Sequence, residues 1–79
     1  MSQIEKLIER IGTVPNDLRF EEVRKVLEYY GYTMYVPHGG SSHCTFRKAG
    51  KPPITIPRHS PVKRIYVLMV KEVIENERS

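Results

Sequence analysis

No aspartate or glutamate occurs between Tyr29 and Lys71, so the cations of that stretch, Arg47, Lys48, Lys51, Arg58, Lys63 and Arg64, have no acidic neighbour in sequence. Cysteine is nearly missing too. Cys44 stands alone, which excludes an internal disulfide and makes the cytoplasm the expected compartment. Long apolar runs are absent. The longest, Ile65 to Val70, is far short of the ~20 residues a membrane span needs, so no membrane partner is expected. Met1-Ser2-Gln3-Ile4-Glu5 lacks the basic and apolar regions of a signal peptide. Neither a CxxC nor an HxxxH spacing is present, and there is no internal repeat.

The acid-free stretch is rich in what titrates near neutral pH. It holds all three histidines, His38, His43 and His59. Residues 1–31 carry five basic and six acidic side chains, and residues 32–79 carry eight and three, so −1 and +5 make the net +4. A basic surface attracts a polyanion, and a histidine on it can move a proton at physiological pH. RNA is therefore the first partner to consider.

At 79 residues the chain suits one domain with a thin core. A core over about residues 20–76 and an N-terminal helical extension over 1–19 are expected. Ser2 and Glu5 fit a capping box. Ile4, Leu7, Ile8 and Ile11 follow at helical spacing, with Gly12 as a stop. Phe20, Val23, Val26, Leu27 and Tyr30 mark a second helix ending at Gly31. Tyr32, Met34 and Val36 alternate with polar neighbours as in a half-buried strand. A second strand is expected over Ser42 to Lys48 and a third over Ile54 to Ile56, stopped by Pro57. Ser60-Pro61 reads as the start of a last helix, Ser60 as N-cap and Pro61 at the first helical position. Short turns between consecutive strands predict an antiparallel meander. The fold class is α+β, with helices covering one side of a three-stranded sheet.

Strand parity places the candidate chemistry. Cys44 and Phe46 are the apolar pair of the second strand, so their side faces the core. His43, Thr45 and Arg47 then face solvent, joined by Thr55 from the third strand. The glycine-serine turn Gly39-Gly40-Ser41-Ser42 precedes His43 and offers backbone N–H groups and hydroxyls to a phosphate, although two glycines also simply close a hairpin. Arg47, Lys48, Lys51 and Arg58 are candidate phosphate contacts. His59 is a candidate second catalytic or phosphate-binding group. His43 and Cys44 point to opposite sides, so they cannot share one ion, and no metal or other cofactor is expected. Cys44, on the core side, is no nucleophile candidate.

Gly40-Ser41-Ser42-His43, a strand containing Phe46, then Gly50-Lys51 and Pro57-Arg58-His59 ahead of a last helix resemble the HicA toxins of toxin–antitoxin pairs. Glu21 to Tyr32 is similar to that family's opening helix and its glycine stop. The resemblance implies a fold like that of double-stranded-RNA-binding domains, α-β-β-β-α, here with an extra N-terminal helix. It implies cleavage of messenger RNA with His43 as the catalytic histidine, Gly40 and Ser41 as motif scaffold, and a HicB-like antitoxin partner that covers the site.

The chemistry of RNA fits a single-histidine device. The substrate carries its own nucleophile, the 2′-OH, so an enzyme needs to deprotonate it, hold the phosphate in line and offset developing charge. Two rivals share the charge pattern. One is a non-catalytic RNA-binding module reading A-form RNA across its minor groove. The other is an interaction domain for an acidic protein.

Overall fold

A computed structural model of the protein describes residues 3–37 and 42–78. Its elements run α1 (Gln3–Gly12), α2 (Phe20–Tyr29), β1 (Thr33–Tyr35), β2 (His43–Arg47), β3 (Ile54–Pro57) and α3 (Arg64–Arg78). The strands form one antiparallel sheet in the order β1-β2-β3. This is an α+β chain with the double-stranded-RNA-binding-domain plan and an added first helix.

Alternation in β2 organises the layers. Cys44 and Phe46 are fully buried, while His43 and Arg47 are exposed. Ile54 and Ile56 of β3 join the buried side. Against them pack Val23, Val26 and Leu27 of α2 and Val67, Val70 and Ile74 of α3. The Phe46 ring lies 6.1 Å from that of Phe20. The opposite side of the sheet carries Thr33, Tyr35, His43, Thr45, Arg47 and Thr55, exposed or half-buried. In register, Thr33 faces Arg47, Tyr35 faces Thr45, and Thr45 faces Thr55.

The first helix lays Ile8 and Ile11 on α2 and α3. Arg10 fastens it, its guanidinium donating to Asp17 and Glu22 at 2.7 Å each. The bond to Glu22 is the main reason its pKa is raised further. The expected Ser2 cap lies outside the described residues. Gly12 closes α1, but the left-handed residue beyond it is Val14, at φ 52°. Its N–H donates to the Ile11 carbonyl at 2.9 Å. A β-branched residue is rare there.

Two ends behave as glycine chemistry requires. Gly31 sits at φ 95° after α2, with Tyr32 N–H donating to the Leu27 carbonyl, a 6→1 closure of the helix. Gly50, at φ 80°, is the third residue of a turn closed by Lys51 N–H to the Lys48 carbonyl.

Three expectations need correction. Strand β1 stops at Tyr35, and Val36 is exposed rather than packed on the core side. The other two residues of that set, Tyr32 and Met34, are buried and half-buried. The last helix begins at Arg64, not at Pro61. Lys63 accepts its first bonds, from Tyr66 and Val67. Ser60 does cap a helix, but a different one: its hydroxyl accepts the Phe20 N–H at 3.0 Å and so closes the start of α2.

Candidate active site

Two strand ends and one loop build the site. His43 opens β2 and pairs with Pro57, the last residue of the edge strand β3. Proline has no N–H to give the ladder, so it is tolerated at this place. The chain then leaves the sheet, and the Arg58 N–H donates to the Ser42 carbonyl. The loop that follows is pinned from beneath. Phe20 N–H binds the Ser60 hydroxyl, and Val62 N–H donates to the Leu18 carbonyl at 2.7 Å. Val62 and Leu18 are both buried. The segment carrying His59 is thus held by α2 and by the connection that precedes it.

His59 is itself oriented. Its Nδ1 lies 3.2 Å from the Pro61 carbonyl oxygen. A carbonyl can only accept, so Nδ1 carries the proton, and in the neutral ring Nε2 holds the lone pair.

Between these pieces lies a cleft of about 390 Å³ lined by Ser42, His43, Pro57, Arg58, His59, Val62, Lys63 and Tyr66. It joins two imidazoles, two basic side chains, a hydroxyl and a phenol ring, with no carboxylate among them. Chemically it offers a proton acceptor, a proton donor and positive charge at one place. By contrast, a second cleft of about 230 Å³ between the β2–β3 turn and α3 is lined by Glu72 and Glu77 as well as Lys51. It has the wrong sign of charge for a polyanion.

A family comparison found a match. The family model described as HicA toxin of bacterial toxin-antitoxin matches residues 20–76. The chain belongs to the HicA toxin family. It is therefore of the toxin side of a toxin–antitoxin pair. No curated protein and no solved structure matched the chain. The matched residues of this HicA-family chain begin at α2 and include both histidines of the cleft, while α1 lies ahead of them.

The described residues singled out from sequence divide into three groups. His43, Ser42, Arg58 and His59 meet in the cleft. Arg47 stays on the open sheet side, four residues along β2 from His43. Lys48 and Lys51 go elsewhere. Lys48 has the parity of Cys44 and Phe46, so it turns to the helix side. Its Nζ donates to Glu77 at 2.8 Å and lies 5.7 Å from the Tyr32 ring centre. Lys51 stands 4.0 Å from the other Glu77 oxygen. The hydrogen bond from Lys48 is the main cause holding the Glu77 carboxyl below its ordinary value. Burial, with Glu77 close by, raises the Tyr32 phenol against the opposing pull of Lys48. These two lysines bind the last turn of α3 to the sheet and are not brought to the cleft. Gly40 and Ser41, like His38, lie outside the described residues.

Sequence reasoning missed Lys63 and Tyr66. The available signal was their spacing: three apart at the entry to a helix, they share a side, just beyond His59. Among the described residues no group of three or more His, Cys, Asp or Glu side chains is placed to hold a metal ion, and no helix is long and apolar enough to cross a membrane.

Proposed function

We propose that this HicA-family chain is a metal-independent endoribonuclease acting on messenger RNA, with His43 as the general base or acid, taking the proton of the 2′-OH or giving one to the departing 5′-oxygen. One observation carries the reading: a carboxylate-free cleft that holds His43, His59, Arg58 and Lys63 together. Deprotonating the 2′-OH makes the oxygen attack the adjacent phosphorus. The 5′-oxygen of the next nucleotide leaves and takes up a proton. The products are a 2′,3′-cyclic phosphate and a 5′-hydroxyl. Arg58 and Lys63 offset charge on the phosphate oxygens, and Ser42 adds a hydroxyl donor. His59 serves the other proton transfer: with Nδ1 on the Pro61 carbonyl, Nε2 takes a proton in the neutral ring or, once protonated, gives one to the 5′-oxygen or donates to a phosphate oxygen. Arg47 guides the flanking backbone from the sheet side.

A single positioned histidine contributes about 10²–10⁴-fold, so turnover is slow by nuclease standards. A HicB-like antitoxin neutralises the protein by covering this cleft. The test is cleavage of RNA by pure protein in EDTA, compared with His43→Ala. Loss of cleavage in the variant, with the fold retained, supports the mechanism. Equal cleavage by both proteins removes His43 from it.

A further inference from the structure

The cleft is more than a charged slot. Its wall includes half-buried Tyr66 and buried Val62, beside the exposed imidazole of His59. A phosphate needs cations and N–H donors; it gains nothing from an aromatic ring and a valine. A planar, apolar group does. The volume, about 390 Å³, falls within the about 300–1,000 Å³ of small-ligand clefts.

A second ring stands nearby on the open side of the sheet. Tyr35 is 53% exposed and pairs with Thr45, two residues from His43 on the same side. Diagonal neighbours of this kind lie about 7–8 Å apart, within reach of long side chains. The face around it is polar, with Thr45 and Thr55 beside it, whose hydroxyls meet at 3.4 Å. An exposed tyrosine there contributes no core packing. Exposed aromatics on a polar, cationic sheet are stacking platforms for unpaired bases.

We propose that the substrate is single-stranded RNA, with one unstacked base entering the cleft against Tyr66 and a neighbouring base stacked on Tyr35, so that the linking ribose-phosphate passes His43. The inference rests on the nuclease reading for its orientation and extends it to the substrate class. It opposes the expectation from the fold alone, because the double-stranded-RNA-binding-domain plan suggests a duplex. Paired bases in an A-form helix are stacked on one another and cannot present a face to either ring. Duplex RNA would meet only the cations.

The experiment separates binding from cleavage. His43→Ala protein is titrated in EDTA against a labelled single-stranded RNA, the same RNA in a blunt duplex, and the single strand with one abasic nucleotide walked along it. Single-stranded RNA is expected to bind about tenfold or more tightly than duplex. Abasic substitution at one or two adjacent positions is expected to lower affinity about tenfold. Tyr35→Ala and Tyr66→Leu, the second keeping apolar volume in the wall, each weaken the single strand and leave the duplex unchanged. Equal or tighter duplex binding overturns the proposal, as does indifference to every abasic position. Failure of wild-type protein to cleave any RNA, with the strand preference intact, would sink the nuclease reading and leave this one standing.

Discussion

Phe46 and Arg47 are neighbours in sequence and opposites in consequence. Phe46 is fully buried against Phe20, and Arg47 is exposed on the other side of β2. Truncating a buried phenylalanine costs about 3–5 kcal/mol, the transfer energy of the ring plus the cavity it leaves. A chain of this length holds roughly 4–12 kcal/mol in total at the usual 0.05–0.15 kcal/mol per residue. Phe46→Ala therefore removes between a quarter and all of the stability. With a urea slope near ~1 kcal/mol/M for a small domain, its unfolding midpoint falls by several molar or the variant does not fold. Arg47→Ala, one residue on, stays within about 0.5 kcal/mol of wild type. The same variant weakens RNA binding and reduces the salt slope by about one. The assay is urea unfolding followed by far-UV circular dichroism, with binding titrations at several salt concentrations. Similar midpoint shifts for the two variants, or a larger one for Arg47→Ala, would refute the assignment of the two sides of the sheet.

Ser60→Ala removes the acceptor of the Phe20 N–H and is expected to cost about 1 kcal/mol, read as a lower unfolding midpoint. Ser60→Thr, which keeps a hydroxyl, should recover most of it. Gly31→Ala forces a side chain to φ 95° and is expected to cost about 1–2 kcal/mol. The nearest side-chain atom to a new Cβ, Cε of Lys48, is at an ordinary 3.5 Å, so the loss is conformational. The pH dependence follows from Glu77. Its folded pKa lies below the ordinary 4.5 because Lys48 donates to the ionised carboxylate. The stabilisation is present above the unfolded value and is lost as pH falls through the lower folded value. Glu77→Gln should flatten the acid limb of a stability-against-pH curve, and an unchanged limb would show that the pair does not contribute.

Much of the plan was legible from periodicity. The helix faces of α1 and α2, the parity of β2 and the stop at Gly31 follow from local rules that tertiary packing did not overturn. Parity also carried the strongest functional expectation, an exposed His43 beside a basic surface. What escaped notice depended on distant partners. Ser60 has the chemistry of a cap, but sequence cannot say which helix it serves, and the N–H it satisfies is forty residues away. Lys48 and Lys51 looked like phosphate contacts by charge alone, until Glu77 arrived from the end of α3. Tyr66 read as part of an apolar run. Only the Pro57-to-Lys63 loop, tied to Ser42 at one end and to Leu18 and Phe20 beyond, turns it into the wall of a cleft.

The central claim is that the imidazole of His43 drives attack by the substrate's own 2′-OH. The most direct measurement is mass spectrometry of the RNA fragments produced in EDTA, using one RNA in all-ribose form and another with a single 2′-deoxynucleotide at the mapped cleavage position. The account predicts 2′,3′-cyclic phosphate and 5′-hydroxyl ends from the first, and an uncut bond at the substituted position in the second. Cleavage of the deoxy-substituted bond, or fragments carrying 5′-phosphate ends, would contradict it.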